Sequence, residues 1–122
     1  MKNILVAVIL FVSLYPLNLF AGEYSDCFKT TDTKWGTHCG NEKSFQIWMK
    51  NTCDETLDIK YAIQRPDGKW SQGVIFYVDP GEIIGGGAWS CLGTGRYKWW
   101  ARPSNGSNIK FPSNAAVNER FK

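Results

Sequence analysis

The sequence predicts an all-β fold: one small antiparallel β-sandwich or barrel-like domain, stabilised by two disulfides and preceded by a cleaved signal peptide. Three observations point there. Apolar residues alternate with polar ones from Ser44 to Arg102, the two-residue period of strands and not the 3.6-residue period of helices. Turn-forming clusters break that alternation at intervals of about 10–15 residues, the rhythm of a small antiparallel domain. Four cysteines, Cys27, Cys39, Cys53 and Cys91, all follow an amino-terminal export signal.

The signal comes first in the chain. Lys2 gives a positive start, Ile4 to Val12 is unbroken apolar sequence, and the segment ends Leu19-Phe20-Ala21-Gly22 with small residues at the cut. This is the three-part layout of a secretory signal peptide, although Leu19 is larger than the residue usual at its place. An uncleaved anchor would need about 20 predominantly apolar residues, and Pro16 and Asn18 interrupt the second half. Residues 1–21 therefore read as the signal peptide and 22–122 as a single β-rich exported domain. The expected location is secreted or periplasmic, with no integral membrane span in the mature chain.

The exported part keeps 13 of the 14 Lys and Arg and all 11 Asp and Glu, a net charge of +2. So slight an excess gives no reason to expect nucleic acid as a partner. An even cysteine count in a short exported domain reads as disulfides. Three pairings are possible. Cys27–Cys39 and Cys53–Cys91 are expected, because the first pair brackets a loop and the second falls at the ends of predicted strands. They would close loops of 12 and 38 residues, worth roughly 3 and 4 kcal/mol in the chain-entropy picture. A zinc site from Cys27, His38, Cys39 and Cys53 lacks a Cys-x-x-Cys knuckle and the reducing compartment that thiolates need. No metal and no cofactor is expected.

The strands follow in order. In Ser44–Asn51, Phe45, Ile47 and Met49 alternate with Gln46, Trp48 and Lys50. Leu57–Gln64 alternates more cleanly, with Leu57, Ile59, Tyr61 and Ile63 on one face. Arg65-Pro66-Asp67-Gly68-Lys69 is a turn with a mechanism: Pro66 presets φ, Asp67 can bond its own backbone and Gly68 accepts positive φ. In Trp70–Val78, Val74, Phe76 and Val78 are assigned to the core face, and Gly73 marks a bulge or a close backbone neighbour. Asp79-Pro80-Gly81 ends that strand. Glu82–Ile84 and Ala88–Leu92 are short strands separated by Gly85-Gly86-Gly87, which reads as a sheet bend, since a phosphate loop would open a helix. Arg96–Arg102 closes the series, with Tyr97, Trp99 and Ala101 inward. Ile109–Phe111 is a candidate edge strand, and Ser113–Lys122 a short terminal helix or a frayed end.

The set opposite the core is not simply polar. Trp48, Ile75, Tyr77 and Trp100 are assigned there, interleaved with basic residues, of which Arg96, Lys98 and Arg102 lie beside Trp100. Exposed rings are costly, because burying one is worth ~1.5–3 kcal/mol, so these residues mark a candidate binding face. A loop, the terminal segment or the other sheet would cover them equally well. Trp, Tyr and Arg are the residue types that dominate protein–protein hot spots.

Enzyme readings are weak. A catalytic triad would have to be built on His38, the only histidine. The carboxylates Asp54, Glu55, Asp79 and Glu82, which a glycosidase could use in pairs, sit mostly in turns. Asn105-Gly106-Ser107 is either a glycosylation acceptor or an ordinary Asn-Gly turn. The expectation is a small exported binding or interaction protein, inhibitor-like or secreted-effector-like, and not an enzyme. It would engage a protein partner through the aromatic-basic face. A carbohydrate-binding module using the same rings is the alternative, and a small hydrolase is less favoured.

Overall fold

The described residues of this computed structural model are 24–84, 86–105 and 108–122. The signal-peptide reading of 1–21 lies outside them, as do Gly85 of the triple glycine and most of the Asn105–Ser107 signal. Among the described residues seven strands occur in order: β1 (Phe28–Trp35), β2 (Phe45–Asn51), β3 (Leu57–Gln64), β4 (Trp70–Val78), β5 (Ile83–Ile84), β6 (Trp89–Ser90) and β7 (Tyr97–Pro103). One short helix, α1 (Asn114–Arg120), follows. All strand pairs are antiparallel. In the first sheet β2 pairs with β1 on one side and with β5 and β6 on the other; in the second the order is β4-β3-β7.

The facing sides of the two sheets share one core. Ile47 and Met49 from β2, Leu57, Ile59 and Ile63 from β3, and Val78 and Ala101 are fully buried there. Each large side chain contributes roughly 1.5–3 kcal/mol by burial. Asn51 fastens the sheets at one end: its amide donates to Val78 O at 3.0 Å and to Glu55 O at 2.9 Å. The β3–β4 turn forms through Arg65 N to Lys69 O at 2.8 Å, with Gly68 at φ +85°.

A smaller cluster lies on the other side of the second sheet, where Ala62, Trp70 and Val117 pack with Trp100 and Phe121. At seven residues α1 is too short to persist alone; it is held in place. Ser113 caps it by accepting from Ala116 N at 3.1 Å. Trp70 donates its amide to Asn118 Oδ1 and its indole N–H to Phe121 O. Lys60, buried on β3, donates to Pro112 O and Asn114 Oδ1, both at 2.7 Å. Burial lowers its pKa from the ordinary value.

Several expectations are corrected. The disulfides are Cys27–Cys53 and Cys39–Cys91. The sequence between Cys27 and Cys39 is not a loop: β1 runs extended for eight residues, about 26 Å at ~3.3 Å per residue. That length carries Cys39 away from Cys27, while the β1–β2 register sets Phe28 opposite Asn51 and so Cys27 beside Cys53. Cys91 follows β6, whose Ser90 pairs with Phe45 at the far end of the same hairpin.

Val74 and Phe76 are not core residues; they are 38% and 55% exposed. Leu57 pairs with Val78 but Ile59 with Ile75, so β4 carries one extra residue. Across that bulge, Ile75 and Val78, three positions apart, both face inward. Gly73 is a separate feature, a close approach: a Cβ there would sit 2.6 Å from Tyr61 Oη. Finally, Ile109–Phe111 is not a strand. That segment crosses the outer side of the second sheet, with Phe111 under the Arg102 guanidinium at 4.4 Å.

Candidate functional site

The six residues expected to share one face are divided. Trp48 lies on the outer side of the first sheet, under the Lys34 ammonium at 5.4 Å. Lys98, Trp100 and Arg102 lie on the outer side of the second, with Arg96 just ahead of β7. There each is engaged by the chain itself. Arg96 stands 5.8 Å from the Trp70 ring and Lys98 4.6 Å from the Phe121 ring. Trp100 packs on Phe121 with centroids 6.0 Å apart. Arg102 donates from Nε to Asp58 Oδ2 at 3.1 Å while covering Phe111. A cation over a ring contributes about 0.5–2 kcal/mol according to burial. The aromatic-basic pattern thus fastens the carboxy-terminal segment onto the sheet.

Tyr77 is different. It is 66% exposed, and Phe76 beside it is 55% exposed, with the ring centroids 6.3 Å apart. Tyr77 also holds φ at +57°, where a Cβ is crowded at a cost of about 1–2 kcal/mol. Its surroundings impose that conformation. Asp58, only 4% exposed, accepts the Tyr77 amide at 3.1 Å, the Ser104 hydroxyl at 2.7 Å and the Arg102 guanidinium. One carboxylate therefore ties the bulge on β4 to β3 and β7. The strained residue sits at the end of a strand whose outer edge pairs with no other strand among the described residues. Phe76 was missed by the alternation, because no period reveals where a strand gains a residue.

A concavity of about 670 Å³ opens between the β3–β4 turn and β6. Trp89 lines it beside the Arg65–Asp67 ion pair, N to O 2.8 Å. The hydrogen bond from Arg65, followed by that from Lys69 N, holds the Asp67 carboxyl below its ordinary pKa. His38 stacks on Trp89 with centroids 4.4 Å apart and planes 14° from parallel, and its Nδ1 meets Thr37 Oγ1 at 3.0 Å. Asp79 and Glu82 serve their own turn: Glu82 Oε1 accepts the Asp79 amide, and Asp79 Oδ1 accepts the Thr56 hydroxyl. All four cysteines are oxidised to disulfides. Among the described residues, no three of His, Cys, Asp or Glu gather as metal ligands, and no helix is long and apolar enough to cross a membrane.

Comparison with known proteins yields no match: no family model, no curated protein and no solved structure matches the chain.

Proposed function

We propose that this chain is a small exported binding protein, a disulfide-stabilised β-sandwich that grips a protein partner along the open edge of β4. Phe76 and Tyr77 are its aromatic anchors. The observation that carries this reading is Tyr77, an aromatic residue at φ +57° with its ring in solvent. Strain of about 1–2 kcal/mol, held by the Asp58 hydrogen bond at a residue whose ring stays in solvent, fits a side chain kept for contact with something else. Strand addition at a sheet edge supplies main-chain hydrogen bonds, and exposed side chains supply selectivity. Two disulfides are consistent with the oxidising compartment an exported protein occupies.

The test is a photo-crosslinking residue at Phe76, with the same residue at Lys29 on exposed β1 as the control, in the native compartment. An adduct from position 76 and none from position 29 is expected. No adduct from position 76 ends the proposal.

The glycan alternative finds support in one place, the Trp89 cleft, where an indole stacked on His38 faces an Arg–Asp pair that could bond hydroxyls. Titrating Trp fluorescence with defined oligosaccharides tests it; loss of the response in Trp89→Ala is the expected signature, and no response to any sugar removes it.

A further inference from the structure

We infer that the partner taken up along β4 is a second copy of this chain, the two β4 strands pairing antiparallel across a two-fold axis. The inference rests on reading β4 as the interacting edge. Natural sheets blunt their edges with charge or proline. On β1 stand Lys29, Asp32 and Lys34, and on β7 Lys98, Arg102 and Pro103. The nine residues of β4, Trp-Ser-Gln-Gly-Val-Ile-Phe-Tyr-Val, carry neither. A strand without charge meets no repulsion from its own copy.

Two features bear on how the copies pair: main-chain direction restricts the register, and charge sets the antiparallel orientation. The first is the direction of the main chain. Trp70 donates its amide away from β3, to Asn118 Oδ1. In an antiparallel ladder alternate residues point the same way, so Gln72, Val74 and Phe76 also turn their backbone groups to the open edge. Hydrogen-bonded partners across the axis must therefore be even-numbered on both copies. The second feature is charge. The residues that flank the strand are Lys69 and Asp79, both exposed, five and, with the extra residue of the bulge left out, four ladder positions from Val74. Pairing centred on Val74 sets Gln72 opposite Phe76 of the second copy. It also brings Lys69 toward Asp79 of that copy at both ends.

The wider surroundings agree: Arg65, Asp67 and Lys69 at one end carry net positive charge, and Asp79 and Glu82 at the other are negative. The extra residue of the bulge, Tyr77, falls just beyond the paired span. The result is one continuous six-stranded sheet, closed because its new outer edges are the charged β7 strands.

Sedimentation equilibrium of the disulfide-bonded exported chain should show a dimer. Lys69→Asp should weaken it about tenfold by turning two attractions into repulsions, and adding Asp79→Lys should restore it. Val74→Lys should give monomer. Because that variant could fail to fold, amide exchange on the unaltered protein provides the second measurement: Gln72, Val74 and Phe76 should exchange more slowly as concentration rises. Exchange independent of concentration, or a double variant no tighter than Lys69→Asp alone, overturns the self-pairing. In that event a Phe76 adduct whose added mass is not that of this chain places a different protein on the edge, and the absence of any adduct overturns the edge reading too.

Discussion

Replacing Tyr77 by Gly and by Ala separates backbone strain from ring contact. At φ +57° a Cβ crowds the following carbonyl at a cost of about 1–2 kcal/mol, and glycine avoids it. Glycine loses part of that gain, roughly 0.5–1 kcal/mol, because it is freer in the unfolded chain. Tyr77→Gly should therefore be more stable than Tyr77→Ala by about 1 kcal/mol. Both variants keep the amide that Asp58 accepts, and both lose the same ring, so the difference isolates the backbone. The assay is urea unfolding with the disulfides intact. At ~1–3 kcal/mol/M for a domain of this size, the midpoints should differ by roughly 0.5 M. Equal midpoints, or a more stable alanine variant, would refute the assignment of strain to Tyr77. Under the proposed function both variants also lose partner capture, so binding follows the ring while the stability difference follows the backbone.

Three further outcomes are expected. Gly73→Ala should destabilise by about 1–3 kcal/mol, the usual cost of overpacking, since its Cβ would meet Tyr61 Oη, Cζ and Cε1 at 2.6–2.8 Å. Unfolding curves should show rescue by Tyr61→Leu but little by Tyr61→Phe, which leaves the ring. Peptide mapping without reduction should recover Cys27 joined to Cys53 and Cys39 joined to Cys91. Replacing either pair by serine should lower stability by roughly 3–4 kcal/mol for separations of 26 and 52 residues. Asp67 should titrate in NMR below its ordinary 3.8 and return toward it in Arg65→Met. Its depressed folded pKa means that its contribution to the turn is present above 3.8 and is lost as pH falls through the lower folded value.

The strands with two well-marked ends were readable in advance. Leu57–Gln64 and Trp70–Val78 have the same limits in the sequence pattern and in the structure, because clean alternation abuts a Pro-Asp-Gly turn. β1 was not readable. Only Phe28 of its eight residues is buried, so it is a strand by main-chain pairing with β2 and carries no apolar period. The disulfide pairing failed with it, since the cysteines are neighbours only once that hairpin exists. On β7 the alternation correctly set Lys98, Trp100 and Arg102 apart from the core-facing residues. It could not show that Phe111 and Phe121, more than eight residues further on, return to lie under those cations. Tyr77 was named as a site residue for its ring; its backbone conformation has no signature in composition or period.

Both crosslinks lie between Cys27 and Cys91, and no covalent ring encloses anything after Cys91. Topologically, β7 and α1 form a tail. Oxidation removes disorder from the unfolded chain only within the enclosed stretch, whereas the tail retains its full freedom to be lost on folding. Tension applied from the carboxy-terminal side of α1 would therefore strip away α1 first and β7 next, without breaking a sulfur–sulfur bond. The residues outside the tail that resist that peeling are Lys60 and Trp70, which hold α1, and Asp58, which holds Arg102 and Ser104.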